Sequence, residues 1–440
     1  MRSNRQHAAL LLLALPLLLR SAQDPAGIAR KALDLLLASQ YAGFSQFLSV
    51  EARAKLGPDF LRDRVGPELQ GFGQLESVGA PVTAKAGTND LISFPVRFSN
   101  TSVSIQLTVN ESGRIAGLFF RPVTDPLPAT WKRPAYSKPE LFRERPVTIG
   151  NDDWKLNGTL TVPAGKGTFP ALVLVHGPGP NDRDESIFSS RIFADLAEGL
   201  ASRGIVVLRY EKRTKAYGPQ MSAMAYTLRE ETIDDAVRAA ALLRQQPEVN
   251  TRRIFVLGHS LGGYAVPRIA RQDGNLAGAI LLAANARHIE DISVAQTEYM
   301  LAAKGGASPD EQRRMELMKG EASRVRSLTP GKDNPAILLG LPVEYFLDLK
   351  GYDAPAEAKR LGLPLLILQG GRDFQVTKAD FELWQSSLGD SKNARFHTYP
   401  MLNHLFITGD GPSSPAEYRK GGNLSTAVID DITAWMTSLP

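Results

Sequence analysis

The chain has no cysteine among its 440 residues. That excludes disulfides, thiolate-held metals, a cysteine nucleophile and a lipidated N-terminal cysteine. Charge of one sign is also scarce. Lys plus Arg number 51 against 46 Asp plus Glu, a net charge of +5. Arg2, Arg5 and Arg20 supply three of those charges from the first residues, so the balance gives little reason to expect a nucleic-acid partner. No RNP-like or zinc-finger spacing accompanies it. Long apolar runs are missing too. Ala8 to Leu19, interrupted by Pro16, is too short to span a bilayer but suits the apolar core of a signal peptide behind Arg2 and Arg5. Residues 1–22 are expected to be a leader cut after Ala22, and the protein secreted or periplasmic. Arg20, where a small residue is preferred, leaves an uncleaved anchor as the alternative. No later stretch reads as transmembrane, and nothing in the sequence sets an oligomeric state.

What is present falls into two domains, as the length requires. From Pro25 to about Gly73 the apolar spacing is helical, with Ile28, Ala32, Leu35, Leu36 and Phe44 on one stretch and Phe60 to Leu69 on a second. The period then becomes two. Gln74–Ala84, Asp90–Phe98, Thr101–Val109 and Arg114–Arg121 read as four strands of an antiparallel meander, completing a small α+β domain over residues 23–122. Five prolines from Pro122 to Pro139 predict a semi-rigid linker over 123–140, and hence that a chain starting near Tyr136 folds by itself. Beyond it, strands at 159–162, 171–175, 205–210, 254–257, 279–284, 365–368 and 395–399 alternate with helical segments. That rhythm implies a mostly parallel sheet with helices on both faces. Residues 286–362 break it with a long, charged, helix-like insertion, placed where a lid would sit.

Gly258-His259-Ser260-Leu261-Gly262 follows the apolar run Ile254 to Leu257 and precedes a helical pattern. A strand, a tight glycine turn and a helix are the context of a nucleophile elbow, in which a serine rides a strained turn and glycines avoid collision. The bland reading is a tight turn with a capping serine. A serine hydroxyl needs a histidine base, and the base needs a carboxylate to hold its tautomer. With such elbows the acid follows the nucleophile and the histidine comes last. Asp373 follows the buried-strand run Leu365 to Leu368. His404 lies in the loop after the final strand. Of six histidines, His7 is in the leader, His176 precedes a glycine loop, His259 is inside the elbow, His288 begins the insertion and His397 lies within a strand. Asp380 and Asp390 are expected at the surface. The candidate catalytic residues are therefore Ser260, Asp373 and His404.

The oxyanion formed on attack needs two backbone donors. Leu261 supplies one. The other comes from His176-Gly177-Pro178-Gly179-Pro180, where Pro178 and Pro180 have no N–H. Gly179 is favoured, with Gly177 as the alternative. The charged runs Asn181 to Glu185 and Tyr210 to Arg213 are read first as mutual ion pairs and second as a polar rim, with Tyr210 as a candidate pocket residue. Tyr345, Phe346, Leu349 and Tyr352 form an apolar stripe that either packs on the sheet or, through Phe346 and Leu349, walls an acyl pocket.

These segments, HGPGPNDRDE, LRYEKR, LGHSLGG, LILQGGRD and NHLF, resemble the α/β-hydrolase superfamily across residues 141–440. More narrowly they resemble bacterial secreted esterases related to dienelactone hydrolases and serine aminopeptidases. Residues 25–122 resemble a small cystatin-like domain found in front of such enzymes. The resemblance implies hydrolysis of a small-molecule carboxylic ester with no metal and no organic cofactor. A peptidase or acyl-peptide hydrolase, a thioesterase, and a non-catalytic binding protein that keeps the pocket are the alternatives.

Overall fold

The computed structural model describes residues 24–99, 102–122, 131–150, 153–331 and 334–440. The leader-like segment and residues 123–130 of the proline-rich stretch lie outside them. The chain divides into two units, Met1–Leu127 and Pro128–Pro440.

In the first unit, helix α1 (Pro25–Leu37) starts on a proline, whose missing N–H costs nothing in the first turn, and buries Ala29, Ala32, Leu33 and Leu36. The expected second helix is present within one continuous helical run from Pro58 to Gly71, and shorter helices precede it. Val50–Lys55 is capped by Ser49. A π-turn, Leu61–Val65, leads into Gly66–Gly71, where Pro67 cannot donate to the preceding turn. Five strands follow, not four: β1 (Leu75–Val78), β2 (Val82–Ala86), β3 (Asn89–Phe98), β4 (Ser102–Val109) and β5 (Ile115–Pro122). The expected strand 74–84 breaks because Pro81 has no donor and Gly79 presses on Pro95, where a Cβ would come within 2.7 Å of the ring. Long β3 therefore pairs β1 and β2 in succession, and β4 on its other side. Ile92, Phe94, Val96, Ile105 and Leu107 alternate toward α1 to form the core.

The second unit is built on one eight-stranded sheet. Its strands are β6 (Phe142–Ile149), β7 (Leu156–Pro163), β8 (Phe169–Val175), β9 (Val206–Tyr210), β10 (Val249–His259), β11 (Gly278–Leu282), β12 (Leu365–Gly370) and β13 (Ala394–Tyr399). In space the order is β13-β12-β11-β10-β8-β9-β7-β6. The six strands from β13 to β9 run parallel, β7 pairs antiparallel with β9, and β6 pairs antiparallel with β7. Strand β6 was not anticipated, because Arg143, Glu144 and Arg145 mask its apolar positions. The central strands are apolar throughout because both faces are covered. Val173, Val256 and Leu281 face helices α3 (Asp234–Arg244) and α4 (Leu261–Asp273). Leu172, Leu174, Leu257 and Leu282 face α2 (Ile192–Ala201) and the last helix of the chain, Thr426–Ser438.

The insertion supplies α5 (Ile289–Ala303), α6 (Pro309–Ser327), a short hairpin over 337–342 and α7 (Val343–Leu349). Its last helix, α8 (Ala354–Leu361), buries Ala354 and Ala358 in the sheet core. It is an ordinary crossover helix, so the lid-like part is shorter than 286–362. Among the described residues no helix is long and apolar enough to cross a membrane.

The linker reading also changes. Residues 131–140 belong to the second unit. Trp131 Nε1 donates to Asp195 at 2.9 Å, Arg133 donates to both Glu198 oxygens at 2.6 and 3.0 Å, and Tyr136 Oη donates to the Leu424 carbonyl at 2.8 Å. Asp195 and Glu198 lie buried on α2 and need these partners. A chain starting at residue 128 keeps them, whereas one starting at Tyr136 loses Trp131 and Arg133. The shorter chain is expected to be less stable by roughly 1–3 kcal/mol, a Tm lower by a few degrees. Calorimetry of the two truncations checks this; equal Tm values would show that residues 128–135 are a tether after all.

Candidate active site

Ser260 stands between β10 and α4 at φ 54°, ψ −120°, a conformation that costs a non-glycine residue roughly 1–3 kcal/mol. The surrounding chain enforces it. The Ser260 N–H donates to the Leu282 carbonyl at 2.9 Å, and its carbonyl accepts from the Tyr264 N–H at 3.1 Å. The turn closes only because its neighbours lack side chains. A Cβ on Gly258 would lie 2.3 Å from the Gly262 backbone, and one on Gly262 2.2 Å from the Val175 carbonyl oxygen.

Asp373 and His404 come from loops at the carboxyl ends of β12 and β13. Gly370 and Gly371 let those loops touch, since a Cβ would meet Asn403 at 2.5 Å or Pro400 at 2.8 Å. His404 Nδ1 lies 2.7 Å from Asp373 Oδ2. The other Asp373 oxygen accepts the N–H groups of Gln375 at 2.8 Å and Val376 at 3.0 Å. This carboxylate is aimed by backbone donors and holds the proton on Nδ1, which leaves Nε2 as the acceptor of the ring. Ser260, with Leu261 beside it, lines a cavity of about 590 Å³ whose walls include Met221, Ile289, Ile292, Leu341 and Phe346.

The match to known proteins follows this geometry. Residues 171–410, from β8 to beyond the His404 loop, match the family model described as serine aminopeptidase, S33. The chain belongs to this hydrolase family. It is 37% identical over 347 residues to esterase EstD of Thermotoga maritima, covering 79% of each chain. Among solved structures it is similar to Est1E from Butyrivibrio proteoclasticus, with a TM-score of 0.43 and 18% identity over 67% of this chain and 99% of that one. A puromycin-hydrolyzing peptidase of Mycobacterium tuberculosis gives a TM-score of 0.44 and 17% identity over 81% and 46%.

In this S33 hydrolase the two glycines considered as second oxyanion donor are placed very differently. The Gly177 N–H donates to Glu185 Oε1 at 2.6 Å, and its carbonyl accepts from Lys212 Nζ at 2.6 Å. Gly177 is therefore committed to other partners. Gly179, at φ +87°, lines the cavity, and its N–H has no hydrogen-bond acceptor among the described residues. Leu261, as the first residue of α4, has no acceptor for its N–H within the helix.

The partners of Gly177 extend in both directions. Lys212 also donates to Glu231 at 2.6 Å, and Tyr345 Oη on α7 donates to the other Glu231 oxygen at 2.6 Å. Glu185 pairs with His259 Nδ1 at 3.0 Å, and His259 Nε2 reaches the His404 carbonyl at 3.1 Å. The two charged runs pair with each other at Arg183 and Glu211, as preferred from the sequence, but Glu185, Lys212 and Arg213 pair outside them, with His259, Glu231 and Asp235.

Three expectations fail. Tyr210 is buried under the loop with its ring edge-on to His176 and does not reach the cavity, because it shares the inward face of β9 with Val206 and Leu208. Leu349 points into the sheet core, one turn from Tyr345, while Phe346 on the adjacent stripe does wall the cavity. Asp380 is fully buried, accepting the N–H groups of Ala286 and Arg287 and pairing with the Arg287 guanidinium at 2.6 Å, which pins the start of the insertion. The sequence reading missed Glu185, Lys212, Glu231 and Tyr345 as site-builders. Lys212 carried a signal in its position just past a strand end, but a buried charge and a surface charge look alike in a sequence.

Burial pushes His176 down to about 4, keeping it neutral beneath the loop. Burial alone would raise Glu185, but the adjacent His259 and the Gly177 N–H hold it below its usual range. Burial alone would lower His259, but the Glu185 carboxylate and the His404 carbonyl hold it above its usual value. The His259 contribution is present below about pH 6.5 and lost as pH rises through its raised pKa, whereas that of Glu185 is present above about pH 4.3 and lost as pH falls through its lowered one. Glu185→Gln is therefore expected to cost about 3–5 kcal/mol near pH 5.5, and less on either side of that window. Denaturant melts from pH 4 to 9 measure this. A loss constant across that range would contradict a buried ion pair.

Proposed function

We propose that the chain is a serine carboxylesterase acting through an acyl-enzyme. Ser260 Oγ attacks the ester carbonyl as His404 Nε2 takes its proton. The same ring then protonates the departing alkoxide, and Asp373 keeps the imidazole oriented throughout. The N–H groups of Leu261 and Gly179 receive the oxyanion. Water, activated by His404, releases the acid and restores Ser260. The observation that carries this reading is the strained serine at an apolar cavity wall, with a carboxylate-aimed histidine on the neighbouring strand-end loop.

The family description also admits peptides with a free amino terminus. Binding an ammonium in a mostly apolar cavity calls for an unpaired carboxylate. Among the described residues lining this one the acid is Glu231, and both its oxygens are already taken, by Lys212 and Tyr345. That favours an uncharged ester, in keeping with the relationship to esterase EstD. The leader-like residues 1–22 support export, to the periplasm or beyond, as the place of action.

Ser260→Ala and His404→Ala are each expected to lower kcat for p-nitrophenyl acetate by roughly 10⁴-fold or more with an unchanged melting curve. Asp373→Asn should also be severe, through loss of the histidine tautomer. The wild-type enzyme should prefer esters to aminoacyl p-nitroanilides. Full activity in any of the three variants would refute these roles, and faster turnover of the anilides would refute the ester reading.

A further inference from the structure

The hairpin over residues 337–342 pairs Leu338 with Leu341, so that its turn is the two residues Leu339 and Gly340. Both have positive φ, 47° and 79°. A two-residue turn of that shape favours Asn-Gly, because asparagine tolerates the left-handed region and an apolar side chain does not. Leucine is a poor residue for this position. A polar residue would serve the backbone better, and the one hydrogen bond made there, from the Leu339 N–H to Glu321 Oε2 at 2.8 Å, needs no particular side chain. The leucine packs against the small apolar cluster of Val325, Leu328, Leu338 and Phe346 and also lines the cavity that holds Ser260, beside Leu341. Strain at a turn, kept by a residue that also lines the cavity, marks a position where the apolar side chain can serve the ligand in addition to local packing.

We propose that Leu339 is a specificity determinant that contacts the hydrocarbon part of the substrate away from the ester carbonyl. The inference rests on the esterase reading for the nature of the substrate. It predicts a separation of stability from selectivity. Leu339→Asn and Leu339→Gly relax the turn, which offsets the lost contacts with the apolar cluster, so their Tm should stay close to that of the wild type. Both should lower the ratio of kcat/KM for p-nitrophenyl octanoate over acetate by about tenfold, the value of a small apolar contact in a pocket, while acetate turnover stays near wild type. Leu339→Met, apolar and unbranched, should restore the ratio.

A ratio that does not fall in the Asn and Gly variants, or that falls only together with Tm and acetate turnover, would overturn the assignment and leave Leu339 as packing. The rates of labelling by octyl and ethyl fluorophosphonates provide a readout independent of ester turnover. If the wild type hydrolyses no ester but its octyl preference disappears in Leu339→Asn, the esterase reading fails and the role of Leu339 stands. An unchanged labelling ratio would remove that role as well.

Discussion

The two peptide groups that flank Gly177 are each held by a buried ion, one through its N–H on Glu185 and the other through its carbonyl on Lys212. Much of the site depends on that clamp. Pro178 follows immediately and has no donor, so once Gly177 is fixed the next N–H in the loop is that of Gly179, which faces the cavity. The same two ions carry the restraint outward. Glu185 holds His259, which bonds the backbone of His404. Lys212 holds Glu231, which takes the hydroxyl of Tyr345 on the lid side. Hydrogen bonds of 2.6–3.1 Å thus tie the Gly177 loop, the His404 loop and the insertion into one arrangement.

Such an arrangement is costly. Each buried ion loses several kcal/mol of hydration, and a pair seldom improves on apolar packing of the same volume. What the ions supply is direction. A leucine in place of Lys212 could fill space but could not fix the orientation of a carbonyl. The strain at Ser260 and the bare glycines around it have the same character, since they place a hydroxyl at the cost of local stability. The apolar sheet beneath, buried on both faces, provides the stability against which these costs are set.

The parts that were legible in the sequence are those governed by local pattern. Apolar runs marked the parallel strands, and the tight turn at Ser260 and the pairing of Asp373 with His404 lie where chain order and strand ends put them. The parts that were not legible depend on orientation and tertiary pairing. Tyr210 alternates onto the core face of its strand, and Leu349 and Phe346 lie on different stripes of one short helix. Asp380 looked like surface because its partner Arg287 is remote in sequence. The choice between Gly177 and Gly179 stayed open for the same reason, because neither Glu185 nor Lys212 announces that it will be buried against Gly177. Strand β6 and the anchoring by Trp131 and Arg133 were hidden by charge and proline in their own segments.

The most direct measurement is a crystal structure of the protein after reaction with an alkyl fluorophosphonate. The adduct should sit on Ser260 Oγ. Its phosphonyl oxygen should lie about 2.7–3.1 Å from the N–H groups of Leu261 and Gly179, with the Gly177 N–H still on Glu185. An adduct on another residue, or an oxygen bound by Gly177 with Glu185 displaced, would contradict the clamped-loop site.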